Sequence, residues 1–188
     1  MIIMRAYVLR ALCATVMLFF SGGVSGAVAD VNAAPDRTAR AFYDLYLQVQ
    51  PRGIPDVAAR AQFEPLVTPE LLSKLAQAQA VEQKHFIATK NQEPPLFQGD
   101  PFSSLFEGAN SYKPGQCVTE GARAYCDIDL TYTEQDGEAA TTWTDKLILV
   151  KRVGGWKVDD IQFGATWDFG QHGTLRGMLG DVIRAGTE

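Results

Sequence analysis

Residues 124–163 read AYCDIDLTYTEQDGEAATTWTDKLILVKRVGGWKVDDIQF, and this stretch decides the fold class. From Ala124 to Tyr132 the residues alternate: Ala124, Cys126, Ile128, Leu130 and Tyr132 share one face, and Tyr125, Asp127, Asp129 and Thr131 share the other. A period of two is the mark of a half-buried strand. Gln135-Asp136-Gly137-Glu138 reads as a hairpin turn, Thr141 to Val153 as the next strand, Gly154-Gly155 as another turn and Trp156 to Phe163 as the last strand. Strands joined by short turns must run antiparallel.

Upstream, the period changes. Ala39, Phe42, Tyr43, Tyr46 and Leu47 follow the i, i+3, i+4, i+7, i+8 spacing of one helical face. Asp36 is the expected cap, and Pro51, Gly53 and Pro55 end the helix. Val57 to Leu66 forms a short second helix in this reading. Thr68-Pro69-Glu70 then gives a cap, a proline at the first helical position and an acid in the first turn, opening a helix that runs to about Thr89. At the far end Leu175, Met178, Leu179, Val182 and Ile183 repeat a helical stripe. Helices followed by a hairpin-connected sheet predict an α+β domain, not an alternating α/β one. One domain over residues 37–185 is expected, preceded by a flexible lead-in at 30–36.

The chain begins MIIMRAYVLRALCATVMLFFSGGVSGAVAD. Arg5 and Arg10 precede an apolar run from Ala11 to Phe20, and Ala27-Val28-Ala29 supplies a small-residue cleavage pattern. That order predicts a signal peptide over residues 1–29, cut after Ala29. The run is shorter than the roughly 20 apolar residues of a membrane span, so no stable membrane insertion is expected after cleavage. Losing Arg5 and Arg10 but no acid takes the net charge from −5 to −7. Such acidity argues against nucleic acid as a partner. A periplasmic or secreted location follows.

Two cysteines then stay with the domain, in QCVTEGARAYCDID (116–129). Gln116 to Thr119 and Ala122 to Thr133 read as adjacent strands turning at Glu120-Gly121. Facing residues of an antiparallel pair stand about 4.5–5.5 Å apart at Cα, within reach of a disulfide. In an oxidising compartment a Cys117–Cys126 staple is preferred over a redox pair or metal site. The C-x-x-C pattern is absent, and only His85 and His172 could complete a zinc shell. No metal and no cofactor are expected.

Residues 91–116, NQEPPLFQGDPFSSLFEGANSYKPGQ, are long for a connection within a domain. Their Phe97, Phe102, Leu105 and Phe106 cannot all face water without making an exposed patch. Phe102 and Phe106 are therefore expected to be buried as a lid. Gly99 and Asp100 make the turn into Pro101, and any pocket mouth lies alongside, with Asp100 its first ionisable candidate.

FYDLYL (42–47), DPFSSLF (100–106) and GGWKVDDIQF (154–163) together resemble the family known as domain of unknown function 3828, a branch of the nuclear transport factor 2-like superfamily. The likeness covers roughly Ala39 to Phe163. It implies a cone of helices backed by a bent antiparallel sheet, a fold that hosts isomerases, dehydratases and binding modules alike. No family catalytic residues can be carried over.

No nucleophile, phosphate-loop or calcium-loop motif is present. His85, late in a helix, and His172, in a Gly-rich turn, read as surface groups. Asp127 and Asp129 leave one strand on the same side, and such a carboxylate, held in an apolar cavity, could serve as a general base. The preferred reading places them on the wet face of a one-sided sheet. Tyr43, Tyr46, Phe97, Phe102, Phe106, Tyr132, Trp143, Trp156 and Trp167 could line a pocket, but an ordinary core accounts for them equally. The candidate ligand-binding set is Tyr43, Tyr46, Asp100, Phe102, Phe106, Asp127 and Asp129, with no catalytic residue assigned. The leading expectation is a non-catalytic module that binds a small apolar ligand or a periplasmic protein. An isomerase or dehydratase with a pocket aspartate and an immunity-type inhibitor of a toxin are the alternatives.

Overall fold

A computed structural model describes residues 34–134 and 140–186. In it the alternating stretch becomes a four-stranded antiparallel meander in the order β1-β2-β3-β4, with β1 Ser111–Glu120, β2 Arg123–Tyr132, β3 Thr141–Arg152 and β4 Gly155–Gln162. Four helices complete a single α+β domain: α1 Pro35–Val49, α2 Val57–Phe63, α3 Pro69–Thr89 and α4 Leu175–Ala185. The leader, its cleavage point and the turn at 135–138 lie outside the described residues.

Register sorts the faces. Cys126 lies opposite Leu147 and Leu130 opposite Trp143, and these residues join Ala124, Ile128 and Leu149 in the core under the helices. Two bulges adjust the pattern. One extra residue sits in β1 between Pro114 and Cys117, where Gly115 lies against the Asp127 backbone. The other lies in β4: Asp160 faces Ile148 and Val158 faces Leu149, leaving Asp159 unpaired. The bulge turns Asp159 inward, where it accepts a 2.9 Å hydrogen bond from the Thr68 hydroxyl. Short bridges from Val67 and Thr174 cover β4, while the outer border of β1 carries no strand among the described residues.

The ends of the helices follow their sequences. Thr68 Oγ1 accepts from the Leu71 amide at 3.2 Å, and Thr174 caps α4 through the Gly177 amide at 3.1 Å. α1 differs from expectation. It starts one residue before Asp36, with Pro35 in its first turn and no side-chain cap. Asp36 instead contributes its charge to the positive end of the helix. α2 stops at Phe63, not Leu66, because Pro65 lacks the amide hydrogen that a longer helix needs. No helix among the described residues is long and apolar enough to cross a membrane.

Cys117 and Cys126 are register partners, and their sulfurs are 1.93 Å apart with Cα atoms 4.0 Å apart. The pair joins β1 to β2. β1 itself begins at Ser111, five residues before the expected Gln116, because Tyr112 to Pro114 pair with Ile128 to Leu130. The irregular connection therefore ends at Asn110. Its residues 95–109 form a strap across the helices, and Phe97, Phe102, Ser103, Ser104 and Leu105 are all buried in it.

Phe102 is completely buried. Its ring lies 5.3 Å from Phe42 and 5.1 Å from Phe63, so α1, α2 and the strap share one aromatic cluster. Phe106 corrects the expectation of a second buried plug: it is 48% exposed. The strap turns back there through an Asp100 N–H to Phe106 C=O bond of 3.0 Å. Gly99, at φ +88°, leaves room for the Phe106 ring, whose Cδ2 would stand 2.7 Å from any Cβ. The ring therefore lies along the outside of the turn.

Candidate functional site

The strap does not seal the domain. Between it, α3 and the α1–α2 connection opens a cleft of about 550 Å³, within the roughly 300–1,000 Å³ range of small-molecule sites. Ile54, Phe86, Pro95, Phe97 and Phe106 give it apolar walls, and Arg52, Gln79, Glu82, Gln83 and Gln98 add polar groups. The Gly53 amide donates to the Gly99 carbonyl at 2.8 Å, tying the connection to the strap.

Glu82 occupies the buried stripe of α3 with Leu71, Leu75 and Ala78. Only 7% of it is exposed. Its Oε1 accepts from the Phe97 amide at 3.1 Å, which pins the strap to the helix. Arg52, exposed in the connection between α1 and α2, has no hydrogen-bond partner among the described residues. Its charge is felt by Asp100 and Tyr46.

Asp100 lies behind the cleft wall and is 2% exposed. The Phe102 amide donates to its Oδ1 at 2.8 Å and the Tyr46 hydroxyl to its Oδ2 at 2.9 Å. The same hydroxyl accepts from the Ala109 amide at 2.7 Å. Burial pushes the Asp100 carboxyl up to about 7, while its hydrogen bonds and the Arg52 charge pull it down. The Tyr46 hydroxyl is also raised, first by burial and then by Asp100. Gly108, at φ +81°, packs so closely on Asp100 and the Tyr46 hydroxyl that a side chain there would collide with both.

A second buried carboxylate holds the other end of the strap. Asp145, wholly buried on β3, accepts from the Ser104 amide at 2.9 Å, the Ser104 hydroxyl, the Trp143 indole at 3.2 Å and the Gly164 amide at 2.9 Å. Burial raises its carboxyl above the ordinary range. With four donors around it and no histidine among them, this group holds the fold and has no free oxygen for a substrate.

The residues expected from sequence thus fall in three places. Tyr46 and Asp100 meet, with Phe106 on the adjoining cleft wall. Tyr43 and Phe102 are core residues beneath them, the Tyr43 hydroxyl 3.5 Å from the Phe102 carbonyl. Asp127 and Asp129 are elsewhere, which corrects their placement in a ligand site. They stand on the sheet face away from the helices, Asp127 paired with Lys146 and Asp129 accepting from Thr144 at 2.7 Å. His85 reaches the Pro94 carbonyl at 2.9 Å, and His172 is exposed in the connection before α4.

Sequence reading missed Arg52, Glu82, Ser104 and Asp145. Two of them had a signal: Glu82 falls on the apolar stripe of its helix, and Asp145 falls between Trp143 and Leu147 on the inward face of its strand. An acid in a core position must find donors or a ligand. The chain matches no family model, no curated protein and no solved structure, so the site is read from its own chemistry.

Proposed function

We propose that the chain is an exported, non-catalytic binding module of the nuclear transport factor 2-like kind, whose site is the cleft between α3 and the strap. One observation carries the reading: apolar walls from Ile54, Phe86, Phe97 and Phe106 stand beside Arg52, an exposed arginine that has no hydrogen-bonded partner among the described residues. Pockets with apolar walls and a few orienting polar groups take small molecules. The superfamily assignment rests on the sequence resemblance and agrees with helices packed on one face of an antiparallel sheet. Export rests on the leader pattern and agrees with the cystine pair.

A thermal-shift screen of the purified protein against a metabolite panel tests the reading. Hits should raise the melting temperature of the wild type and lose their effect in Phe106→Asp, which places a charge on the cleft wall without disturbing the core. A protein captured stoichiometrically from periplasmic extract, and equally by the Phe106→Asp variant, would move the function from the cleft to the outer surface.

Asp100 supports a second reading, an isomerase or dehydratase, because a carboxyl near 7 suits a general base. Binding is preferred because both Asp100 oxygens already accept hydrogen bonds and the side chain does not line the cleft. Turnover of a small carbonyl compound, abolished in Asp100→Asn, would reverse that preference.

A further inference from the structure

Arg52 and Glu82 line the same cleft yet do not pair with each other. Here each is held by a different element: Arg52 follows α1, and Glu82 is fixed on α3 by the Phe97 amide. Glu82 Oε2 has no protein donor among the described residues and is open to the cleft. A ligand cation that reaches that oxygen gains a charge-assisted hydrogen bond in place of water.

These charges constrain the ligand. A simple fatty acid would meet Arg52 but bring its negative charge into a cleft that already holds Glu82. A simple amine would satisfy Glu82 and be repelled by Arg52. A neutral apolar molecule would leave both charges unanswered as it displaced their water. Only a ligand with both signs and an apolar body uses all three features, and Gln83 and Gln98 beside them can bond its remaining polar atoms.

We therefore propose that the cleft takes a zwitterion with an apolar or aromatic side chain, a free α-amino acid or a short peptide, carboxylate toward Arg52 and ammonium toward Glu82. The assignment rests on the binding-module reading above. Phe86, Phe97 and Phe106 receive the side chain. Arg52 can grip the carboxylate through two parallel N–H donors.

The test is competition against Nile red, a neutral apolar dye, on the full purified chain, with calorimetry for direct affinities. The competitors are phenylalanine, phenylalanyl-phenylalanine, N-acetylphenylalanine and phenylalanine amide. The zwitterions should compete at least tenfold better than either blocked form, since a charge-assisted hydrogen bond is lost at the blocked end. Arg52→Gln should weaken phenylalanine and the acetyl form but not the amide. Glu82→Gln, which keeps an acceptor for the Phe97 amide, should weaken phenylalanine and the amide but not the acetyl form. Tighter binding of the dipeptide than of the single amino acid identifies a peptide site, and the reverse an amino-acid site. Blocked forms that compete as well as free ones overturn the zwitterion while the binding module stands, provided that Phe106→Asp releases the dye. If neither dye nor any competitor binds, the binding-module reading falls as well.

Discussion

The Tyr46 hydroxyl joins Asp100 to the backbone of Ala109, donating to the carboxylate at 2.9 Å and accepting from the amide at 2.7 Å. One oxygen atom thereby closes both ends of the strap's inner turn onto α1. Tyr46→Phe removes it and leaves a buried amide and a buried carboxylate short of a partner. The expected loss is about 1–3 kcal/mol in a denaturant melt. An unchanged melt would mean that the strap is held elsewhere.

Stability should depend on pH through Asp100. Its carboxyl is raised from 3.8 to about 7 in the fold, so the folded protein holds this proton more tightly than the unfolded chain does. The resulting stabilisation is complete below about pH 4 and is lost as pH rises through about 7. Its size is on the order of 4 kcal/mol. Urea melts between pH 4.5 and 8 should show stability falling with pH, less steeply in Asp100→Asn. Asp145 is shifted in the same direction, so part of the slope should survive that substitution.

Two phenylalanines four residues apart should behave differently. Phe102→Ala opens a cavity among Phe42, Tyr46 and Phe63 and should cost about 3–5 kcal/mol. Phe106→Ala, at a half-exposed wall, should cost less than about 1 kcal/mol yet weaken ligand binding. Equal destabilisation by both would restore the picture of a two-ring plug.

How much of this was legible in the sequence varies with the range of the interactions. Thr68-Pro69 announces α3 because capping and proline at the first position are decided within four residues. The alternation from Ala124 to Leu130 likewise showed which side faces the core, and it put Asp127 and Asp129 on the other side. The strap obeys no such local rule. Ser104 is buried only because Asp145, 41 residues away, receives its hydroxyl and amide. Phe106 faces outward only because Gly99 and the Asp100–Phe106 backbone bond turn the chain there. Arg52 became a candidate only when α3 and the strap were seen to stand beside it.

The cystine should resist labelling. Cys117 and Cys126 in protein purified without reductant should give no free thiol, and reduction should cost about 2–3 kcal/mol, as expected for so short a loop. Ready labelling of both would remove the staple.

Processing is checked by intact mass. Exported protein should begin at or near Asp30, the first residue after Ala27-Val28-Ala29. A species that retains the apolar run would replace the cleaved module with an anchored one.

The bulge and cystine of β1 also determine how the molecule meets its own kind. A flat outer strand offers its free amides and carbonyls as a template on which another chain can extend the sheet. Here Pro114 removes one of those donors, the extra residue before Cys117 breaks the ladder's rhythm, and the cystine fixes the irregular course against β2. Reduction releases that last constraint while the inward residues of β2 and β3 stay packed. The first damage expected from a reducing environment is therefore intermolecular, folded molecules adding to one another border to border before the core is lost. Light scattering should then rise on reduction ahead of any loss of far-UV circular dichroism.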